Sequence, residues 1–169
     1  CVSFLKDEDG RVCGAVARDQ FTGDLKEIKA HAVINATGPW TDRTIGMSSD
    51  KKTSLLRPTK GVHIVVEHDK LPVNNAVVCF HPEDKRVLFA IPWGDRTYLG
   101  TTDTDYDGDP GDVYADLDDV NYLIEAAAYY FTENKIEHDD VISTWAGLRP
   151  LISAGEAGED RVRRGRRRS

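Results

Sequence analysis

The run Val33-Ile34-Asn35-Ala36-Thr37-Gly38-Pro39-Trp40 constrains the fold more than any other stretch of the chain. Val33 and Ile34 are β-branched and suit a strand packed between layers. The side chains then shrink through Ala36, Thr37 and Gly38. Gly38 has no Cβ, so a large flat ligand can approach the backbone, and Pro39 ends a strand by removing a ladder donor. The pattern predicts a buried strand over 32–36 that exits into a tight loop. Taken alone, it is a feature of many α/β chains.

A chain of 169 residues can form a real core, since a domain of about 150 residues buries roughly 70% of its unfolded surface. Hydrophobic content of 40% and charged content of 30% fit a soluble globular protein. No apolar run approaches the roughly 20 residues of a membrane span, and no signal-peptide pattern occurs. Peripheral attachment to a membrane is compatible with both. Cys1, Cys13 and Cys79 are odd in number and far apart. They fit a reducing compartment better than a disulfide frame or a zinc site, and His31, His68, His81 and His138 show no ligand spacing with them.

Charge is uneven. Residues 161–169 hold six of the 22 basic residues and no acid, so the first 160 carry 16 basic against 29 acidic groups, a formal −13. A body this acidic repels nucleic acid. The arginine-rich end could attract phosphates or an anionic membrane, and its plainer reading is a disordered or non-native terminus.

Asp7-Glu8-Asp9-Gly10 is a polar turn that predicts a hairpin between 2–6 and 12–18. A second turn at Thr22-Gly23-Asp24 leads to a strand over 25–30. A short helix is expected over 41–47 with Thr41 or Asp42 as cap, followed by a polar loop over 48–53. Candidate strands then cover 61–67, 76–81, 86–91 and 97–101. In the first, Val62, Ile64 and Val66 alternate with His63, Val65 and Glu67, the period of a half-buried strand. Over 118–131, Val120, Leu123, Ile124, Ala127 and Phe131 form one helical stripe, and Asp116, Asp118 and Asp119 suit its N-terminal end. Residues 140–147 return as a strand leading to Arg149.

Four blocks stand in order: the 33–40 run, Thr59-Lys60-Gly61-Val62-His63, Ile91-Pro92-Trp93 with Gly100-Thr101-Thr102-Asp103-Thr104, and Trp145-Ala146-Gly147-Leu148-Arg149-Pro150-Leu151. In this order and at these spacings they resemble the FAD-dependent glycerol-3-phosphate dehydrogenases of the D-amino-acid-oxidase-like flavoprotein superfamily. The likeness runs from about residue 12 to residue 151. The Asn-Ala-Thr-Gly piece is shared across the superfamily; the other blocks together are specific.

The resemblance implies an α/β chain with α+β character. Residues 1–47 would be part of an FAD-binding Rossmann-like domain, and 48–152 an antiparallel substrate-covering sheet with one helix. Residues 153–169, beyond the end of the likeness, read from composition as an acidic then arginine-rich, disordered tail. The family holds the dinucleotide pyrophosphate on a G-x-G-x-x-G turn, which occurs nowhere in this sequence. The expectation is therefore a central fragment with weak or no FAD binding by itself. In the intact family, sn-glycerol 3-phosphate is oxidised at C2 to dihydroxyacetone phosphate, with hydride passing to FAD and electrons to membrane quinone. That implies a cytoplasmic protein, peripheral on the inner face of the membrane.

His63 is the first candidate for chemistry, because imidazole has a suitable pKa to take a hydroxyl proton near neutrality. The resemblance places a histidine of this context on the substrate hydroxyl; a hydrogen-bonded core histidine is the other reading. Arg149 precedes Pro150 and is biased to an extended backbone, and its planar guanidinium can grip phosphate or oxyanions. The resemblance places it in the substrate site, against the common alternative of a surface ion pair.

Lys60, Thr102 and Asp103 are further substrate-binding candidates, although a Thr- and Asp-rich turn also needs only turn chemistry. Ala36, Thr37 and Gly38 are the expected flavin contacts, through backbone approach. Trp40 and Trp93 wall a pocket or fill core. The stretch Asp103-Thr104-Asp105-Tyr106-Asp107-Gly108 begins like a calcium loop but has Tyr114 where the twelfth-position glutamate belongs. Two other functions stay open: a glycerol-3-phosphate oxidase that hands electrons to oxygen, and a folded scaffold without turnover.

Overall fold

The computed structural model describes residues 1–48 and 54–153. The chain divides into two compact units: Cys1–Arg57 with the described residues after 151, and Pro58–Leu151. The polar loop expected over 48–53 lies, from residue 49, outside the described residues, as does the tail from residue 154.

In the first unit Asp7 builds the predicted hairpin. Its carboxylate accepts the backbone N–H groups of Asp9 at 3.0 Å and Arg11 at 2.8 Å, joining β1 (Ser3–Lys6) to β2 (Val12–Arg18). Asp19 does the same at the next turn, accepting from Phe21 at 2.9 Å, and β3 (Leu25–Lys29) completes a three-stranded antiparallel sheet in the order β1-β2-β3.

The buried strand expected over 32–36 is not formed. Those residues belong to no strand, and Ile34 is 87% exposed. A strand of that kind needs ladder partners and cover on both faces, and no described segment pairs with it. Pro39 opens a 3-10 turn, Gly38–Trp40, which runs into helix α1 (Thr41–Ser48) where a short helix was expected. The capping expectation fails for Asp42: its carboxylate accepts the backbone N–H groups of Leu55 and Leu56 at 3.1 Å and ties down the chain that follows.

The second unit is built on β4 (Leu56–Glu67). Val62, Ile64 and Val66 are fully buried on one face of this strand, as the alternation predicted. Its neighbours are β5 (Val77–Phe80), β6 (Val87–Trp93), β7 (Arg96–Gly100), β8 (Thr104–Asp105) and β9 (Val141–Ile152). The order is β5-β6-β7-β4-β8, with β9 also paired to β4. Helix α2 (Leu117–Tyr130) covers the Val62 face with Val120, Leu123, Ala126 and Ala127. Each fully buried Val, Ile or Leu side chain there is worth about 1.5–3 kcal/mol. Asp116 and Asp119 close a reciprocal capping box at its start.

Candidate functional site

The period of two in β4 puts Lys60 and His63 on opposite faces. Lys60 turns towards α2. Its ammonium lies 2.6 Å from both Asp116 Oδ2 and Asp119 Oδ2, and its side chain is almost fully buried. Burial works against its charge, but the hydrogen bonds and attraction of the two carboxylates outweigh it and raise the pKa. The Asp116 carboxyl is held below its usual range, chiefly by the Lys60 hydrogen bond. Expected at the substrate, Lys60 is engaged here in joining the sheet to the helix.

The other face of β4 carries Gly61 and His63. In β9, Trp145 and Arg149 are four residues apart and therefore share a face as well. The Trp145 indole stacks on the His63 ring, with centroids 5.0 Å apart and planes 21° from parallel. Tyr98 of β7 meets the same ring edge-on at 5.9 Å. Gly100 lies opposite His63 in the ladder, and a Cβ at Gly100 would stand 2.1 Å from His63 Cδ2. The absent side chain is what lets the imidazole lie there. Half-burial, and then the nearby positive charge of Arg149, lower the His63 pKa, so the ring is neutral at pH 7 and able to accept a proton.

Arg149 is fixed by the turn after β7. Nη1 donates to the Thr102 carbonyl and to Asp103 Oδ1, each at 3.2 Å, and Nη2 donates to Thr101 Oγ1 at 3.0 Å. A guanidinium has five N–H donors, so among the described residues two remain for a ligand. Gly61 makes room for the head group: a Cβ there would stand 2.6 Å from Nη2. Arg86 donates to the Asp103 carbonyl. Together Arg86, Thr101, Asp103, Arg149, Val87 and Leu151 line a cavity of about 390 Å³.

Thr102 belongs to the sheet more than to that cavity. It is buried, its hydroxyl accepts the Val62 N–H at 3.0 Å, and its own N–H donates to the Val62 carbonyl. It fills the step in the ladder between β7 and β8. Trp145, Tyr98, Thr101 and Arg86 were not expected at the site. The spacing of Trp145 and Arg149 along one strand was the available signal for the first. The others depend on which strands pair.

Ala36, Thr37 and Gly38 lie in the first unit. The Thr37 hydroxyl donates to Asn35 Oδ1 at 2.8 Å and meets the Thr44 hydroxyl at 3.0 Å, which fixes the turn. Gly38 takes a φ of +56°, the left-handed region that glycine reaches without strain, and nothing lies within 4 Å of where its Cβ would be. Ala36 and Thr37 are exposed. This open backbone fits a planar ligand laid against it. The residues fit one contact of a dinucleotide and not its pyrophosphate, for which the sequence has no glycine-rich turn.

The candidate site is thus a half-buried, neutral histidine beside an oriented arginine on an antiparallel sheet. The sequence matches the FAD dependent oxidoreductase (DAO) family over residues 2–166, and the chain belongs to that family. It is 45% identical over 159 residues to the alpha-glycerophosphate oxidase of Streptococcus pneumoniae, covering 92% of this chain and 26% of that protein. It is 41% identical over 157 residues to the aerobic glycerol-3-phosphate dehydrogenase of Staphylococcus haemolyticus, covering 93% and 28%. The crystal structure of the glycerol-3-phosphate dehydrogenase from Bacillus halodurans complexed with FAD superposes with a TM-score of 0.83 at 42% identity, over 89% of this chain and 30% of that one. The chain thus spans about a quarter of the length of the curated relatives it matches. Among the described residues, no helix is long and apolar enough to cross a membrane.

Proposed function

We propose that this chain works as part of a flavoenzyme that oxidises sn-glycerol 3-phosphate at C2 to dihydroxyacetone phosphate and passes the electrons to quinone. The observation that carries the reading is the shared face of β4 and β9, where a neutral His63 and the cationic Arg149 stand together. His63 takes the proton of the C2 hydroxyl onto a ring nitrogen as the C2 hydrogen leaves with its two electrons. Arg149 holds the substrate's oxygens with the donors that Thr101, Thr102 and Asp103 leave open. FAD, when bound, supplies the acceptor for the hydride. The backbone of Ala36, Thr37 and Gly38 would contact it. Thr102 and Asp103 act by aiming Arg149, and Lys60 acts by holding the sheet to α2. The protein acts on the cytoplasmic side, with peripheral contact to the membrane that carries the quinone.

The test is Arg149→Ala in the intact flavoenzyme. Turnover of sn-glycerol 3-phosphate should collapse while the bound-flavin absorbance persists; unchanged turnover would overturn the role. A second reading, with oxygen as acceptor, is favoured by the oxidase named among the relatives. Stoichiometric peroxide during turnover would select it over quinone.

A further inference from the structure

We propose that Trp145 is the positioning residue of the site, holding the His63 ring in a single orientation against Gly100. The inference rests on the reading of His63 as the base, and it concerns a residue that does not itself touch the reacting atoms.

The His63 ring is confined from three sides. Trp145 covers one face in a near-parallel stack at 5.0 Å, Tyr98 presses its edge at 5.9 Å, and the Gly100 backbone blocks the Cδ2 side. Trp145 and Tyr98 also pack on each other at 5.4 Å, so the two rings form one bracket. No hydrogen bond to the His63 ring is made among the described residues. Imidazoles at work are usually oriented by a partner on the second nitrogen. Here aromatic contact and steric exclusion do that work instead. Stacked aromatic pairs of this kind contribute beyond their buried area, which favours one rotamer over the others.

The bracket also accounts for a tryptophan that is 43% exposed. Its indole packs on the rings of His63 and Tyr98. Gly100 supplies the complementary vacancy, since any side chain there would push the ring out of the bracket.

The first measurement is made on this chain. In the wild type, NOEs should connect the His63 and Trp145 ring protons, and the indole should shift the His63 ring protons upfield. Trp145→Ala should remove both and leave the methyl dispersion of Val62 and Leu123 intact. Absence of the NOEs in the wild type would overturn the inference directly.

The second measurement uses the intact flavoenzyme. Trp145→Ala should lower kcat by about ten- to a hundred-fold with KM changed less than about two-fold, because misplacement of a catalytic group by about 1 Å costs rate on that scale. Trp145→Phe should recover kcat to within about three-fold, and Gly100→Ala, which displaces the ring from the other side, should lower kcat like Trp145→Ala. If Trp145→Ala keeps kcat within about two-fold while His63→Asn abolishes turnover, the positioning role is wrong and the base stands. If His63→Asn itself retains turnover, the reading on which the inference rests has failed.

Discussion

Gly61 and Arg149 face one another with no room for a side chain between them: a Cβ on Gly61 would stand 2.6 Å from Nη2 and 2.8 Å from Nη1. The backbone of β4 is therefore one wall of the space that holds the guanidinium. Gly61→Ala should leave the fold in place, because the atoms it meets are the movable ends of Arg149 and Thr101. It should nevertheless weaken substrate binding about ten-fold in the intact enzyme, roughly the 1.4 kcal/mol of one disturbed charge-assisted hydrogen bond. KM alongside the melting temperature checks this; an unchanged KM would remove Arg149's head group from the substrate.

Lys60→Met should act on stability and not on substrate affinity. It would leave Asp119, 5% exposed, without its cation, at a cost of about 3 kcal/mol. Urea unfolding of the chain measures this. A stable variant with a raised KM would return Lys60 to the substrate site.

The same ion group sets an acid limit. The folded Asp116 pKa is depressed by Lys60, so its stabilisation is present above the unfolded carboxylate value and is lost as pH falls through the lower folded value. Unfolding followed between about pH 5 and 2 should show that slope, and Lys60→Met should flatten it.

Tyr122 predicts an alkaline limit. Its hydroxyl donates to the Asp84 carboxylate at 3.0 and 3.1 Å, and burial together with that carboxylate pushes the phenol up to about 12. The raised pKa favours the protonated form, so the stabilisation is complete below the ordinary phenol value near 10 and is lost as pH climbs towards 12. Tyr122→Phe should abolish this loss and lower stability at pH 7 by about 1 kcal/mol. Phenolate absorbance against pH, with paired melts, tests both parts.

Burial, and then Arg149, lower the His63 pKa. Arg149→Met should therefore raise it towards 6.5 without restoring it fully, because the burial persists. NMR titration of the ring in this chain reads the shift; no change would mean that the two groups are electrostatically separate.

Local chemistry fixed much of the architecture. Carboxylates at turn positions wrote the first hairpins, alternation in β4 set its buried face, and the stripe with its acidic N-terminus set α2. Each is written in a pattern only a few residues long, and each forms as expected. The 33–40 run carries the same kind of local signal and yet forms no strand, because a strand is completed only by partners.

The candidate site divides in the same way. His63 and Arg149 were legible from their motifs, and the likeness that named a family was already in the residues. That Lys60 turns to α2, that Thr102 fills a step in the ladder, and that Trp145 lies on His63 were decided by tertiary structure. The reason is physical. A side chain's partners across a sheet depend on register and pairing between segments as distant in the chain as Gly61 and Arg149, which no local pattern encodes.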